Sequence, residues 1–128
     1  MEAPWGEASR RVCTYFDSEQ GLGFTFERLS LPAETDADQS DAILEAVMAG
    51  AAAMTESEVA SKKSELVQGI ASLRGKLLTP KNGFVADVHY LLADDRLITI
   101  SVEGSQRAMA LPAASNFMAS LRIQDATE

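Results

Sequence analysis

Along the 128 residues, apolar side chains recur with a period of two in some stretches and near 3.6 in others, and the switches between the two mark the elements. Arg10 to Phe16 is rich in β-branched and aromatic types and predicts a first strand. Turn chemistry follows from Asp17 to Gly23, and Gly23 to Leu31 resumes an extended run with Phe24, Phe26, Leu29 and Leu31. The two strands predict a hairpin, ended by Pro32, which cannot donate to a ladder.

Ala33 to Gln39 is then an acidic loop. Ser40 can cap a helix and Asp41 suits its positive first turn, while Ile43, Leu44, Val47, Met48, Ala51 and Met54 recur at helical spacing. The spacing predicts a helix from Ser40 to about Thr55 whose stripe, methionines included, fills a core rather than a binding surface.

The second half reads as strands. Glu56 to Gln68 mixes Val59, Leu66 and Val67 with lysines and serines, as an edge strand does, and Gly69 ends it. Ser72 to Thr79 is the next strand, closed by Pro80-Lys81-Asn82-Gly83, whose Asn-Gly pair tolerates the positive φ of a tight turn. From Phe84 to Leu92 the even-numbered positions are uniformly apolar and the odd ones mixed; Asp94-Asp95 turns the chain into Leu97 to Glu103. Gly104 to Leu111 reads as loop, and Pro112 opens a helix that aligns Ala114, Phe117, Met118 and Leu121.

The order β, β, α, β, β, β, β, α predicts an α+β fold: one domain over residues 10–123, a twisted antiparallel sheet of about six or seven strands with two helices packed on its faces. Residues 1–9 form a lead-in and 124–128 a tail. The sheet core should contain Phe24, Phe26, Leu29, Phe84, Val88, Tyr90, Ile98, Ile100 and Val102.

The run from Tyr15 to Ile123 resembles a group of small bacterial domains with the Mog1/PsbP-like fold. The resemblance rests on the aromatic strand ending in Leu31-Pro32, the acidic-capped helix from Ser40 and the strand ending in Leu66-Val67-Gln68-Gly69. It rests also on the pair Phe84 to Leu92 and Arg96 to Val102, and on the closing Asn116-Phe117-Met118-Ala119-Ser120-Leu121-Arg122-Ile123. Phe117 and Ser120 fit a Phe-x-x-Ser-Phe-type ending, and Leu121 replaces its second aromatic. The resemblance implies a Mog1/PsbP-like sandwich and non-enzymatic work, as partners, envelope proteins or chaperones. It assigns no functional residue.

Charge narrows the function classes. Eleven Lys and Arg against 19 Asp and Glu give a net charge of −8, which disfavours nucleic acid and anionic membranes as partners. Residues 1–60 hold all of the excess, with 12 acids against three bases. No apolar run reaches the roughly 20 residues of a membrane span. With Cys13 alone, an internal disulfide and a Cys-rich zinc site are excluded. A native Met1 would place the protein in the cytoplasm, and a trimmed leader would place it in the envelope or outside.

Candidate chemistry is sparse. Asp87 and His89 share one strand face and could form an acid–base unit; a hydrogen-bonded or solvated polar pair is the blander and favoured reading. Cys13 reads as a buried structural thiol. Glu34, Asp36, Asp38, Asp41 and Glu45 gather around one loop and helix start, but position six after Asp36 is Asp41, not Gly, and position 12 is Val47, not Glu, so no calcium loop results. Those five acids form a candidate contact surface for a basic protein partner. Lys62, Lys63, Arg74, Lys76 and Lys81 read as solvated strand edges. Gly21-Leu22-Gly23 lacks a third glycine and precedes a strand, so it is no phosphate loop, and no cofactor or metal is implied.

These readings favour a non-catalytic binding or accessory module acting through protein contacts. The alternative is a small-ligand-binding protein with a pocket between sheet and helix; an enzyme using Asp87 and His89 ranks last. An open sheet edge would also permit a homodimer.

Overall fold

The structure is a computed structural model, described here for residues 10–30, 37–93 and 96–119. Its elements are β1 (Arg10–Asp17), β2 (Leu22–Ser30), α1 (Ala37–Met54), β3 (Glu58–Val67), β4 (Ile70–Thr79), β5 (Phe84–Ala93), β6 (Arg96–Ser105), α2 (Gln106–Met109) and α3 (Pro112–Ala119). The strands make one antiparallel sheet in the order β1-β2-β6-β5-β4-β3. The β1–β2 hairpin forms one side. The segment containing α1 then carries the chain to the opposite edge, and β3 to β6 meander back until β6 pairs with β2 through Phe24↔Val102 and Phe26↔Ile100. The β3–β4 turn is the tightest: Gln68 and Gly69 both adopt positive φ, 52° and 80°, as a two-residue type I′ connection requires. At Pro80–Gly83 the turn is longer, with Asn82 N–H and Gly83 N–H both donating to the Thr79 carbonyl.

Register divides the apolar residues between two faces. On one face Leu73 and Leu77 of β4 and Val88, Tyr90 and Leu92 of β5 receive Leu44, Met48 and Ala52 of α1. On the other, Leu22 of β2, Leu91 of β5 and Ile98, Ile100 and Val102 of β6 receive Ala108 of α2 and Ala114 and Met118 of α3. β5 serves both cores, and its residues from Asp87 to Leu92 are all buried. Close approach of α1 depends on Gly75, where a Cβ would lie 2.7 Å from the Ser61 carbonyl oxygen and 2.8 Å from Met48 Cε.

The expected sandwich, an α+β domain of six or seven strands with two helices laid on the faces, is corrected. Among the described residues strand predominates, 57% against 28% helix, in an open six-stranded sheet with three helices. A helix about 10 Å across covers two or three strands spaced about 4.8 Å apart, so neither helical layer spans six. α1 packs on β3, β4 and β5, whereas α2 and α3 pack on β6 and β5 from the other side. Among the described residues each face is thus partly covered, one towards β3 and the other towards β6, with β5 covered on both.

Several boundaries move for local reasons. α1 begins at Ala37, which puts Ser40 inside the helix and buried rather than at its cap. Residues 106–109, expected as loop, form α2 because the Ser105 side chain accepts from Ala108 N–H as an N-cap. Of the expected core, Val88, Tyr90, Ile98, Ile100 and Val102 are buried, Phe24 and Leu29 are half-buried, and Phe26 and Phe84 are exposed. Met54, expected in the core stripe, is 88% exposed at the end of α1. The lead-in, the tail, Glu34, Asp36 and the Asp94-Asp95 turn lie outside the described residues.

Candidate functional site

On the face that carries α2 and α3, the β3–β4 side, which the described helices leave open, carries the charged side chains. Antiparallel register aligns Ser61, Lys63 and Glu65 of β3 with Lys76, Arg74 and Ser72 of β4, and those with Asp87, His89 and Leu91 of β5. Alternation sends all of these to one face. Met109 of α2 and Ser115 of α3 form the opposing wall of a groove of about 410 Å³, whose other lining includes Lys63, Arg74, Lys76 and Asp87. Its size falls within the range of about 300–1,000 Å³ typical of ligand sites.

Inside the groove Arg74 grips Asp87 with a fork: Nη2 donates to Oδ2 at 2.9 Å and Nε to Oδ1 at 3.3 Å. This hydrogen bond to the Asp87 carboxylate raises the Arg74 pKa further. Lys63 and Lys76 are exposed beside it, so three cations meet one carboxylate. Lys62, on the alternate face, instead reaches α1 and donates to Glu45 at 2.6 Å.

His89 is 4% exposed and sits deeper. Ser72 gives its single hydroxyl hydrogen to the Glu65 backbone carbonyl at 2.9 Å. The Ser72 oxygen can therefore only accept at its 3.1 Å contact with His89 Nε2, so Nε2 carries the hydrogen. Burial holds the His89 pKa below its ordinary value, although the Glu65 carboxylate 3.7 Å away pulls in the other direction. The Ser72–His89–Glu65 arrangement has the residue types of a nucleophile, base and orienter, but the hydroxyl is 1% exposed and the facing nitrogen is already protonated. A substrate cannot reach this oxygen, and Nε2 cannot take its proton.

Asp87 and His89 do lie on one face and are both buried, but no hydrogen bond joins them: Asp87 turns to Arg74 and His89 to Ser72. The spacing i, i+2 is visible in the chain; the partners on β3 and β4 are not, because cross-strand register is set by turns many residues away. Cys13, expected to be buried, is exposed. It lies on edge strand β1. Of the acidic group, Asp41 is exposed and Glu45 is engaged by Lys62, while Glu34, Asp36 and the Asp38 side chain are outside the described residues.

Among the described residues no three His, Cys, Asp or Glu side chains gather to hold a metal ion, and no helix is long and apolar enough to cross a membrane. No protein-family model matches the chain, and no curated protein does. Among solved structures it is similar to PA94 from Pseudomonas aeruginosa, a protein of unknown function proposed as a regulator. The TM-score is 0.62 at 12% identity, over 95% of this chain and 88% of that one. At that identity the likeness concerns the fold alone.

Proposed function

We propose that this protein is a non-catalytic binding module acting through protein contacts, and that its contact surface is the groove between the open sheet face and the α2–α3 pair. One observation carries the reading: Lys63, Arg74 and Lys76 converge there on a single face of a chain whose net charge is −8. Such a local reversal of sign selects an acidic segment and repels the rest of an acidic proteome. The groove thereby takes precedence over the acidic surface around Asp41 and Glu45: each has one charge engaged in an ion pair, Arg74 by Asp87 and Glu45 by Lys62, but only the groove reverses the sign of the net charge. The inaccessible Ser72 hydroxyl and the protonated Nε2 of His89 also favour binding over catalysis. The Mog1/PsbP-like resemblance implies work of the same non-enzymatic kind.

The cavity volume supports a second reading, a small anionic ligand held between sheet and helices. Capture from a native-source extract distinguishes the two, using wild-type protein and a Lys63→Glu/Lys76→Glu variant as parallel baits. A protein retained by the wild type, released by salt and lost from the variant is the expected result. Identical capture by both baits contradicts the groove. Capture of no protein, with a small anion bound by the wild type and not by the variant, transfers the groove to the second reading.

A further inference from the structure

The two edges of the sheet are built differently. β3 carries the devices that keep an edge from pairing: Lys62 and Lys63 along the strand and a register irregularity between Val59 and Ser61. β1 has no Lys, no Pro and no bulge, its charges Arg10, Arg11 and Asp17 stand only at its two ends, and its register runs unbroken from Arg10↔Leu29 to Asp17↔Leu22. It also leaves large apolar side chains in the open on both faces, with Val12 44%, Tyr15 65% and Phe16 63% exposed. Among the described residues no strand pairs with this edge, and such an edge with exposed aromatics is a template for another strand.

We propose that the occupant is β1 of a second copy, paired antiparallel about a twofold axis through Thr14, so that two six-stranded sheets become one. The residue pattern selects this register. A twofold axis perpendicular to the sheet places residues of the same face opposite one another, so paired numbers must sum to an even value. With the axis at Thr14, Arg11 lies opposite Asp17 of the second copy, Val12 opposite its Phe16, and Cys13 opposite its Tyr15. Thr14 meets Thr14, itself a favourable cross-strand pair. Every off-axis contact occurs twice. Moving the axis to Cys13 sets Arg11 against Tyr15 and Val12 against Thr14; moving it to Tyr15 sets Asp17 against Cys13 and Phe16 against Thr14. Both shifts lose the opposite-charge pair and the Val12–Phe16 pair together. The register at Thr14 matches charge with charge on one face and apolar with apolar on the other. The grooves lie towards the far edges of the joined sheet and stay open, so the dimer is independent of what they bind.

The test combines mass with cross-linking. Sedimentation equilibrium should give twice the 13.7 kDa chain mass for the wild type. Arg11→Asp, which sets like charges opposite one another twice, should weaken the dimer about tenfold or more. In a Cys13→Ser background, Thr14→Cys places two thiols directly opposite, at the Cα separation of about 4.5–5.5 Å that a disulfide spans. Mild oxidation should link that variant into a covalent dimer, while Ser64→Cys on the β3 edge should link far more slowly. A monomer at every concentration overturns the proposal and leaves the edge to the strand of a different protein. A dimer in which Thr14→Cys links no faster than Ser64→Cys overturns it equally, because the interface then lies elsewhere.

Discussion

His89 shows how much a single side chain's environment departs from its place in the sequence. Burial lowers its pKa, so the unfolded chain takes up a proton at a pH where the folded one does not. Stability from this group is therefore complete above the unfolded value of about 6.5 and is lost as pH falls from there towards the lower folded value. Chemical denaturation between about pH 7 and pH 5 should show this loss. His89→Gln keeps a side-chain N–H to donate to Ser72 and should flatten that part of the profile. A slope unchanged by the substitution would mean that His89 titrates alike in both states. The residue's neighbours are the least legible feature of the chain. Asp87 and His89 two apart on one strand announce a shared face, but Arg74, Ser72 and Glu65 stand 13 to 24 positions away and meet them only through register. Cys13 misleads for a related reason: a β-rich run looks the same on an edge strand as in a buried one, and only the strand's place in the sheet separates the cases.

At the scale of elements, α1 and β4 are fitted to one another through an absence. Gly75 gives Met48 its seat, with the backbone carbonyl of Ser61 closing the other side. Gly75→Ala should cost about 1–3 kcal/mol in urea unfolding, since the carbonyl cannot swing aside as a flexible side chain could. Gly50, in α1, has open space for 4 Å around the position a Cβ would take, and Gly50→Ala should stabilise the protein by up to about 1 kcal/mol through helix propensity. Equal effects at the two sites would contradict the packing of α1 against β4. Elements with a strong period are readable from the chain: α1 by its stripe, β5 by an apolar face beside a mixed one, β3 by its edge lysines. α2 is not. Its four residues are too few for a period, and its one signal, Ser105 as N-cap, takes meaning only once the helix is known.

The whole molecule is governed by the partial coverage of each sheet face among the described residues. A continuous layer over the face that carries α2 and α3 would have buried the Lys63–Arg74–Lys76 surface or forced apolar residues into its place, and the alternation along β4 and β5 instead keeps the α1 face greasy and the other charged. Composition points the other way, towards the acidic first half as the contact region, because net charge sums over surfaces that the fold keeps apart. The cationic groove emerges only from pairing β3, β4 and β5. Its role is tested most directly by amide NMR of the isotope-labelled protein titrated with a synthetic Glu-rich decapeptide, with the Gln-rich counterpart as control. Binding of the acidic peptide alone, weakened by salt and shifting the amides of Lys63, Arg74, Lys76, Met109 and Ser115 while leaving Asp41 and Glu45 still, is the result predicted. Shifts centred on Asp41 and Glu45, or none anywhere, would contradict it.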